Sequence, residues 1–179
     1  HAAVAVLAVL ADALAAVHAA GLSHGDIKPD NVVVSGVASG KMMIVDFGVA
    51  GTGEGGTLLY AAPERLGGAG PSPESDIYSL GLSLWEMLHC QLPWAELGPS
   101  MSLLKRRGPP PAPTEGPEWI MEMVVQMLAF EAINRPTASA IADACAAHGA
   151  KIPAPGPDLL RLRASAVHIP SLPVEEAVQ

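Results

Sequence analysis

His24-Gly25-Asp26-Ile27-Lys28-Pro29-Asp30-Asn31 is the stretch on which the reading of this chain turns. It is polar and carries both Gly and Pro, so it reads as a loop. On its N-terminal side, residues 2–22 are almost wholly apolar, with Leu7, Leu10, Leu14 and Val17 at three- and four-residue steps. That spacing describes the buried stripe of a helix, with Gly21 as its stop. On its C-terminal side, Asn31-Val32-Val33-Val34 and Lys41-Met42-Met43-Ile44-Val45 are β-prone runs separated by Ser35-Gly36 and Ser39-Gly40. They predict two short strands joined by a turn. Asp46-Phe47-Gly48 follows the second run directly.

The first helix is long enough to cross a bilayer, but its composition is against it. Asp12 and His18 lie inside it, alanine dominates, and neither end carries Lys or Arg. A soluble core helix is the reading, and neither a membrane span nor a signal segment is expected. Bulk composition agrees. Of 179 residues, 50% are hydrophobic and 16% charged, which suits one globular domain with one core. Aromatic residues make up 4%, so Leu, Val, Ile, Met and Ala must fill that core. The net charge of -8 argues against nucleic acid or an anionic membrane as partner. Two cysteines, Cys90 and Cys145, supply no disulfide framework and no metal-site spacing. Both are read as buried thiols, and the location as cytoplasmic, in a reducing intracellular compartment.

Further along, residues 46–64 are Gly-rich and irregular. Pro71-Ser72-Pro73-Glu74-Ser75 opens a helix predicted over 76–89. Its apolar residues (Ile77, Leu80, Leu82, Leu84, Trp85, Met87, Leu88) cover nearly the whole circumference, which places it in the interior. Gly81 within it points to close packing. A short helix is expected near 102–107, then helices over 118–130 and 138–147. Residues 151–179 hold five prolines and no sustained period, and read as a disordered Pro-rich tail.

Asp26, Lys28 and Asn31 come from one loop, and Asp46 follows 20 residues after Asp26. A phosphoryl-transfer site needs a carboxylate to take a hydroxyl proton, cations around the γ-phosphate, and hard oxygen ligands for Mg²⁺. Each residue alone reads as a turn former. Their order and spacing together resemble the catalytic loop and metal-binding Asp-Phe-Gly of eukaryotic-type serine/threonine protein kinases. The resemblance implies that Asp26 orients the substrate hydroxyl and accepts its proton, and that Lys28 neutralises the γ-phosphate. It implies that Asn31 and Asp46 ligate Mg²⁺, that Val33 floors the adenine, and that His24 and Phe47 pack between the two loops.

The resemblance extends beyond the loop. Gly56-Thr57-Leu58-Leu59-Tyr60-Ala61-Ala62-Pro63-Glu64 looks like the end of an activation segment. Thr57 would then bond to Asp26 and Lys28, and Leu58 and Leu59 would flank the residue after the phosphoacceptor. Glu64 and Arg135 match the family's buried ion pair, and Asp76 matches the residue that bonds the catalytic-loop backbone. Leu92-Pro93-Trp94 also fits. The implied fold is mainly α: the C-terminal helical lobe of a protein kinase over 1–150, with a small β-hairpin at the catalytic site, followed by the tail. The implied cofactors are ATP and Mg²⁺, and the implied partners ATP and a protein substrate, with a regulatory partner left open.

Three departures from the family pattern stand out. The Gly-rich phosphate loop, strand lysine and paired glutamate of an N-terminal lobe cannot be placed, since lysines occur only at 28, 41, 105 and 151. With His1 in place of an initiator methionine, the chain reads as cut from something longer, with weak nucleotide binding and little turnover expected in isolation. Gly25 stands where most members carry an arginine that pairs with an activation-segment phosphate. Glu131-Ala132 stands where Asp-Pro is common. A non-catalytic kinase-like binding or regulatory module is the alternative function, and a small-molecule phosphotransferase a third; the complete set of Asp26, Lys28, Asn31 and Asp46 favours an enzyme.

Overall fold

In a computed structural model, residues 2–35, 41–45, 57–95 and 100–150 are described, with no side-chain description for 2, 33–35, 41–43, 57, 101 and 102. The expectations for Asp46, Phe47, Gly48, the stretch 49–56 and the tail 151–179 lie outside these residues, as do those for the side chains of Val33 and Thr57.

Helix α1 spans Ala2–Ala19. Leu7, Leu10 and Leu14 are buried with Ala8 and Ala11, so the leucine stripe faces the core. Gly21 takes a left-handed φ of 75°, and the chain reverses as the Gly21 N–H donates to the His18 carbonyl and the Leu22 N–H to that of Val17. A residue without Cβ adopts that conformation at no steric cost. No helix among the described residues is long and apolar enough to cross a membrane.

Strands β1 (Val32–Ser35) and β2 (Lys41–Ile44) pair antiparallel, with Val32 opposite Ile44 and Ser35 opposite Lys41. α1 packs on α6 (Ala138–Ala147) and against β2, which sets the ladder on the helical body. A short helix α2 covers Pro63–Leu66.

Helix α3 runs Pro73–His89, starting three residues earlier than the sequence suggested. Pro73 occupies the first helical position, where its missing N–H is no loss, and Ser72 and Ser75 cap each other. The Ser72 hydroxyl accepts the Ser75 N–H at 3.1 Å, and the Ser72 N–H donates to the Ser75 hydroxyl at 3.0 Å. Ile77, Tyr78, Leu80, Leu82, Leu84 and Trp85 are all buried, so α3 is the interior helix. It packs on α5 (Glu118–Met127). At their crossing, a Cβ on Gly81 would sit 2.9 Å from Leu128 Cδ2 and 3.0 Å from Met127 Cβ. Gly81→Val is therefore expected to lower stability by about 1–3 kcal/mol through overpacking. Urea unfolding checks this, and an unchanged midpoint would contradict it.

Three sequence expectations are corrected here. Cys145 is buried, and burial pushes its thiol up to about 11, but Cys90 is exposed. Cys90 caps the end of α3 with a φ of 57°, turning the chain at the surface while its N–H donates to the Glu86 carbonyl. α5 stops at Met127, not 130, because the carbonyls of Ala129 and Phe130 turn to Arg135. The short helix α4 covers Met101–Lys105, shifted by a residue or two from its expected span.

Candidate active site

The loop 24–31 is held from below by α3. The Asp76 carboxylate, 1% exposed, accepts the His24 N–H at 2.7 Å and the Gly25 N–H at 2.8 Å. His18 Nε2 lies 3.0 Å from the same carboxylate, tying the end of α1 to the start of α3. A buried carboxylate is tolerated only when its lone pairs are filled, and three donors do this. Gly25 has φ 81°, a left-handed conformation that glycine takes without strain.

His24 is 1% exposed and joins the loop to β2. Its Nε2 lies 3.0 Å from the Val45 carbonyl, which can only accept, so Nε2 carries the hydrogen of this bond. Nδ1 is then free of hydrogen in the neutral ring and accepts the Asp26 N–H at 3.3 Å. The Val45 N–H in turn donates to the Asn31 carbonyl at 2.8 Å. Loop and strand are thus stitched together one residue before Asp46.

On this base the structure gathers three of the sequence-derived site residues. Lys28 Nζ donates to Asp26 Oδ2 at 2.8 Å, with both side chains about one-fifth exposed. Asn31, buried, donates from Nδ2 to the Asp26 carbonyl at 2.8 Å and to Asp26 Oδ2 at 3.0 Å. A 3-10 turn over Pro29–Asn31 brings Asn31 back toward Asp26. One carboxylate oxygen of Asp26 therefore receives a cation and an amide.

Beside Asp26 runs a groove of about 360 Å³, bordered by Gly25, Leu58, Tyr60, Arg65 and Pro71 among others. One wall is formed by Leu58, in the 3-10 turn Thr57–Leu59, with Tyr60 and Ala61 after it. Tyr60 donates its hydroxyl to Glu86 at 2.6 Å, and burial together with that carboxylate pushes the phenol well above its usual range. The Ser79 hydroxyl donates to the Tyr60 carbonyl at 2.9 Å.

The wall is anchored by Arg135. Its Nη1 and Nη2 donate to the two Glu64 carboxylate oxygens at 2.7 and 2.9 Å. The remaining donors reach the carbonyls of Glu74, Ala129 and Phe130, so all five guanidinium N–H groups are used. The Tyr78 ring lies beneath the guanidinium at 4.9 Å. Burial alone would raise the Glu64 carboxyl, but the hydrogen bonds and charge of Arg135 outweigh it and hold it below 4.5.

Three participants were not read from the sequence: His18, the Tyr60–Glu86 pair, and Lys105. Lys105 ends α4, has no exposed surface, and donates from Nζ to the carbonyls of Leu59, Leu58 (3.5 Å) and Ala61 (3.4 Å). Burial pushes its ammonium down to about 7. Nothing in the local sequence Leu103-Leu104-Lys105-Arg106-Arg107 distinguishes it from a surface lysine.

Comparison with known proteins shows the family. Residues 1–145 match the protein kinase domain. Serine/threonine-protein kinase PknA of Mycobacterium tuberculosis is 33% identical over 174 residues, covering 89% of this chain and 40% of that protein. PkaB of Streptomyces coelicolor, also named a serine/threonine-protein kinase, is 36% identical over 156 residues, covering 78% of this chain and 37% of that protein. PknL of Mycobacterium tuberculosis is 38% identical over 104 residues, covering 52% and 26%. The chain belongs to the protein kinase family, of the eukaryotic serine/threonine type. It spans about a quarter to two-fifths of the length of these relatives.

Proposed function

We propose that this chain is the catalytic-lobe part of a serine/threonine protein kinase, occupying residues 1–150 and transferring the γ-phosphate of ATP to protein hydroxyls. The observation that carries the reading is the convergence of Lys28 and Asn31 on Asp26 Oδ2, at the edge of an open groove. With Oδ2 so held, the second carboxylate oxygen, Oδ1, is the one left to receive the proton of a serine or threonine hydroxyl in the groove. That hydroxyl oxygen bonds to the γ-phosphorus, the bond from phosphorus to the β-bridging oxygen breaks, and ADP leaves with the electron pair. Lys28 swings from Asp26 to the transferring phosphoryl oxygens as their charge develops.

The donor set fits Mg²⁺. Both Nδ2 hydrogens of Asn31 are committed to Asp26, which leaves Oδ1, a hard neutral oxygen, to face a cation. Asp46 would supply the anionic ligand. Mg²⁺ held there would supply charge neutralisation and alignment of the phosphates. The β1–β2 ladder would floor the adenine at Val33, and Thr57 would bind the Asp26–Lys28 pair. Phe47 would pack beside His24.

The test is transfer from Mg²⁺-ATP to a generic protein by the longest natural protein containing this chain, followed by phosphoamino-acid analysis. Phosphoserine and phosphothreonine are expected, with Asp46→Ala silent. Activity equal in the wild type and Asp46→Ala would refute the assignment.

Gly25 adds a prediction about control. Without an arginine at that position, an activation-segment phosphate has no guanidinium in the catalytic loop to grip. Phosphatase treatment is therefore expected to leave the transfer rate unchanged, and abolition of activity would contradict this.

A further inference from the structure

We propose that Lys105 is a positioning residue that fixes the segment 57–61 beside Asp26 and so governs how the protein substrate binds. The inference rests on the phosphotransfer reading above and names a residue that acts through the groove wall. An ammonium group with no exposed surface ordinarily has a carboxylate beside it. Among the described residues Lys105 forms no ion pair, and its Nζ instead meets three backbone carbonyls within four consecutive residues. An ammonium has three N–H donors, so the match between donors and acceptors is complete. The carbonyls belong to Leu58, Leu59 and Ala61, and Leu58 and Ala61 also border the groove beside Asp26.

The geometry links α4 to the groove from its outer side. The backbone turns the Leu58, Leu59 and Ala61 carbonyls toward Lys105, while Leu58, Tyr60 and Ala61 border the space a substrate chain would cross. Besides the Arg135 anchor at Glu64, Tyr60 ties this wall down twice, the Ser79 hydroxyl donating to its carbonyl and its own hydroxyl to Glu86. Neither binds the carbonyls that Lys105 gathers. Loss of the ammonium would remove its bond from each of these carbonyls and leave the wall held through Tyr60 and, further along the chain, through the Glu64–Arg135 pair. Asp26, Lys28 and Asn31 hold one another without reference to α4, so the chemical step and ATP binding should survive the change.

The experiment uses the longest natural protein containing this chain, as wild type, Lys105→Met and Lys105→Gln; the glutamine retains a neutral N–H donor. Steady-state kinetics are read for both ATP and protein substrate, and amide hydrogen exchange is read for the peptide covering 57–62. For Lys105→Met the protein-substrate KM is expected to rise about tenfold or more, the loss attached to a hydrogen-bonded charge. KM for ATP should stay at the wild-type value, and exchange in 57–62 should accelerate while α1 and α6 keep their protection. Lys105→Gln should shift both readouts less, and it carries the comparison if the methionine variant does not fold. Unchanged protein-substrate KM, or a parallel loss in both KM values, would overturn the proposal. If the wild type transfers no phosphate, the phosphotransfer reading fails by itself. Exchange then decides the clamp: acceleration confined to 57–62 supports it, and unaltered exchange overturns it.

Discussion

Asp26→Asn is expected to lower the rate of phosphate transfer about a hundredfold to ten-thousandfold, the usual contribution of a positioned general base. The substitution is nearly isosteric. An amide oxygen can still accept the Lys28 ammonium, which now sits 2.8 Å from Oδ2, so the loop should keep its shape. What disappears is the basicity and the negative charge that draw the hydroxyl proton. The loss should therefore fall on kcat, with KM for ATP little changed, because an interaction made chiefly in the transition state has been removed. Initial rates with saturating Mg²⁺-ATP check this. A rate within a few-fold of wild type would remove Asp26 from the role.

Arg135→Leu is expected to cost about 3–5 kcal/mol of stability, the range for breaking one partner of a buried ion pair. The guanidinium holds Glu64, Glu74, Ala129 and Phe130 together through five donors, and no apolar side chain replaces any of them. For a domain of this size the loss corresponds to a drop of about 6–20 °C in Tm. Glu64→Gln should cost less, since the Glu64 side chain is 28% exposed and water relieves part of the loss. The pair also fixes the sign of an acid effect. Arg135 holds the folded-state Glu64 carboxyl below its ordinary 4.5. Its stabilisation is therefore complete above about pH 4.5 and is lost as pH falls through the folded-state value. Arg135→Leu should narrow the stability gap to wild type in that acid window, and a gap constant with pH would contradict the linkage.

The loop 24–31 was the most legible part of the chain because its candidate site residues lie at fixed short spacing. Asp26, Lys28 and Asn31 lie within five residues of one another, so one loop with a single 3-10 turn brings them together. Glu64, Asp76 and Arg135 were legible through family resemblance alone. Their partners lie 71 residues apart for Glu64 and Arg135, and 52 for His24 and Asp76. No local periodicity encodes such distances.

Other features were decided by packing. The start of α3 moved to Pro73 because a reciprocal Ser72–Ser75 cap, not the first apolar residue, sets a helix boundary. Cys90 was assigned to the core by residue type, but the left-handed turn at the end of α3 carries it to the surface. Lys105 shows the converse error. A lysine on a short helix reads as solvated, and only the placement of α4 against the 57–61 carbonyls reveals its burial. His18 likewise looked like an interruption in an apolar helix until its bond to Asp76 appeared.

The central claim, that the 24–31 loop is the working floor of a phosphotransfer site, is tested most directly by following labelled γ-phosphate. The longest natural protein containing this chain is incubated with labelled ATP and a generic protein, with Mg²⁺ or with excess chelator, as wild type and as Asp26→Asn. Label on serine and threonine in the wild type, dependent on Mg²⁺ and reduced at least about a hundredfold in Asp26→Asn, is the predicted result. No Mg²⁺-dependent transfer by the wild type, or equal transfer by both proteins, would contradict it.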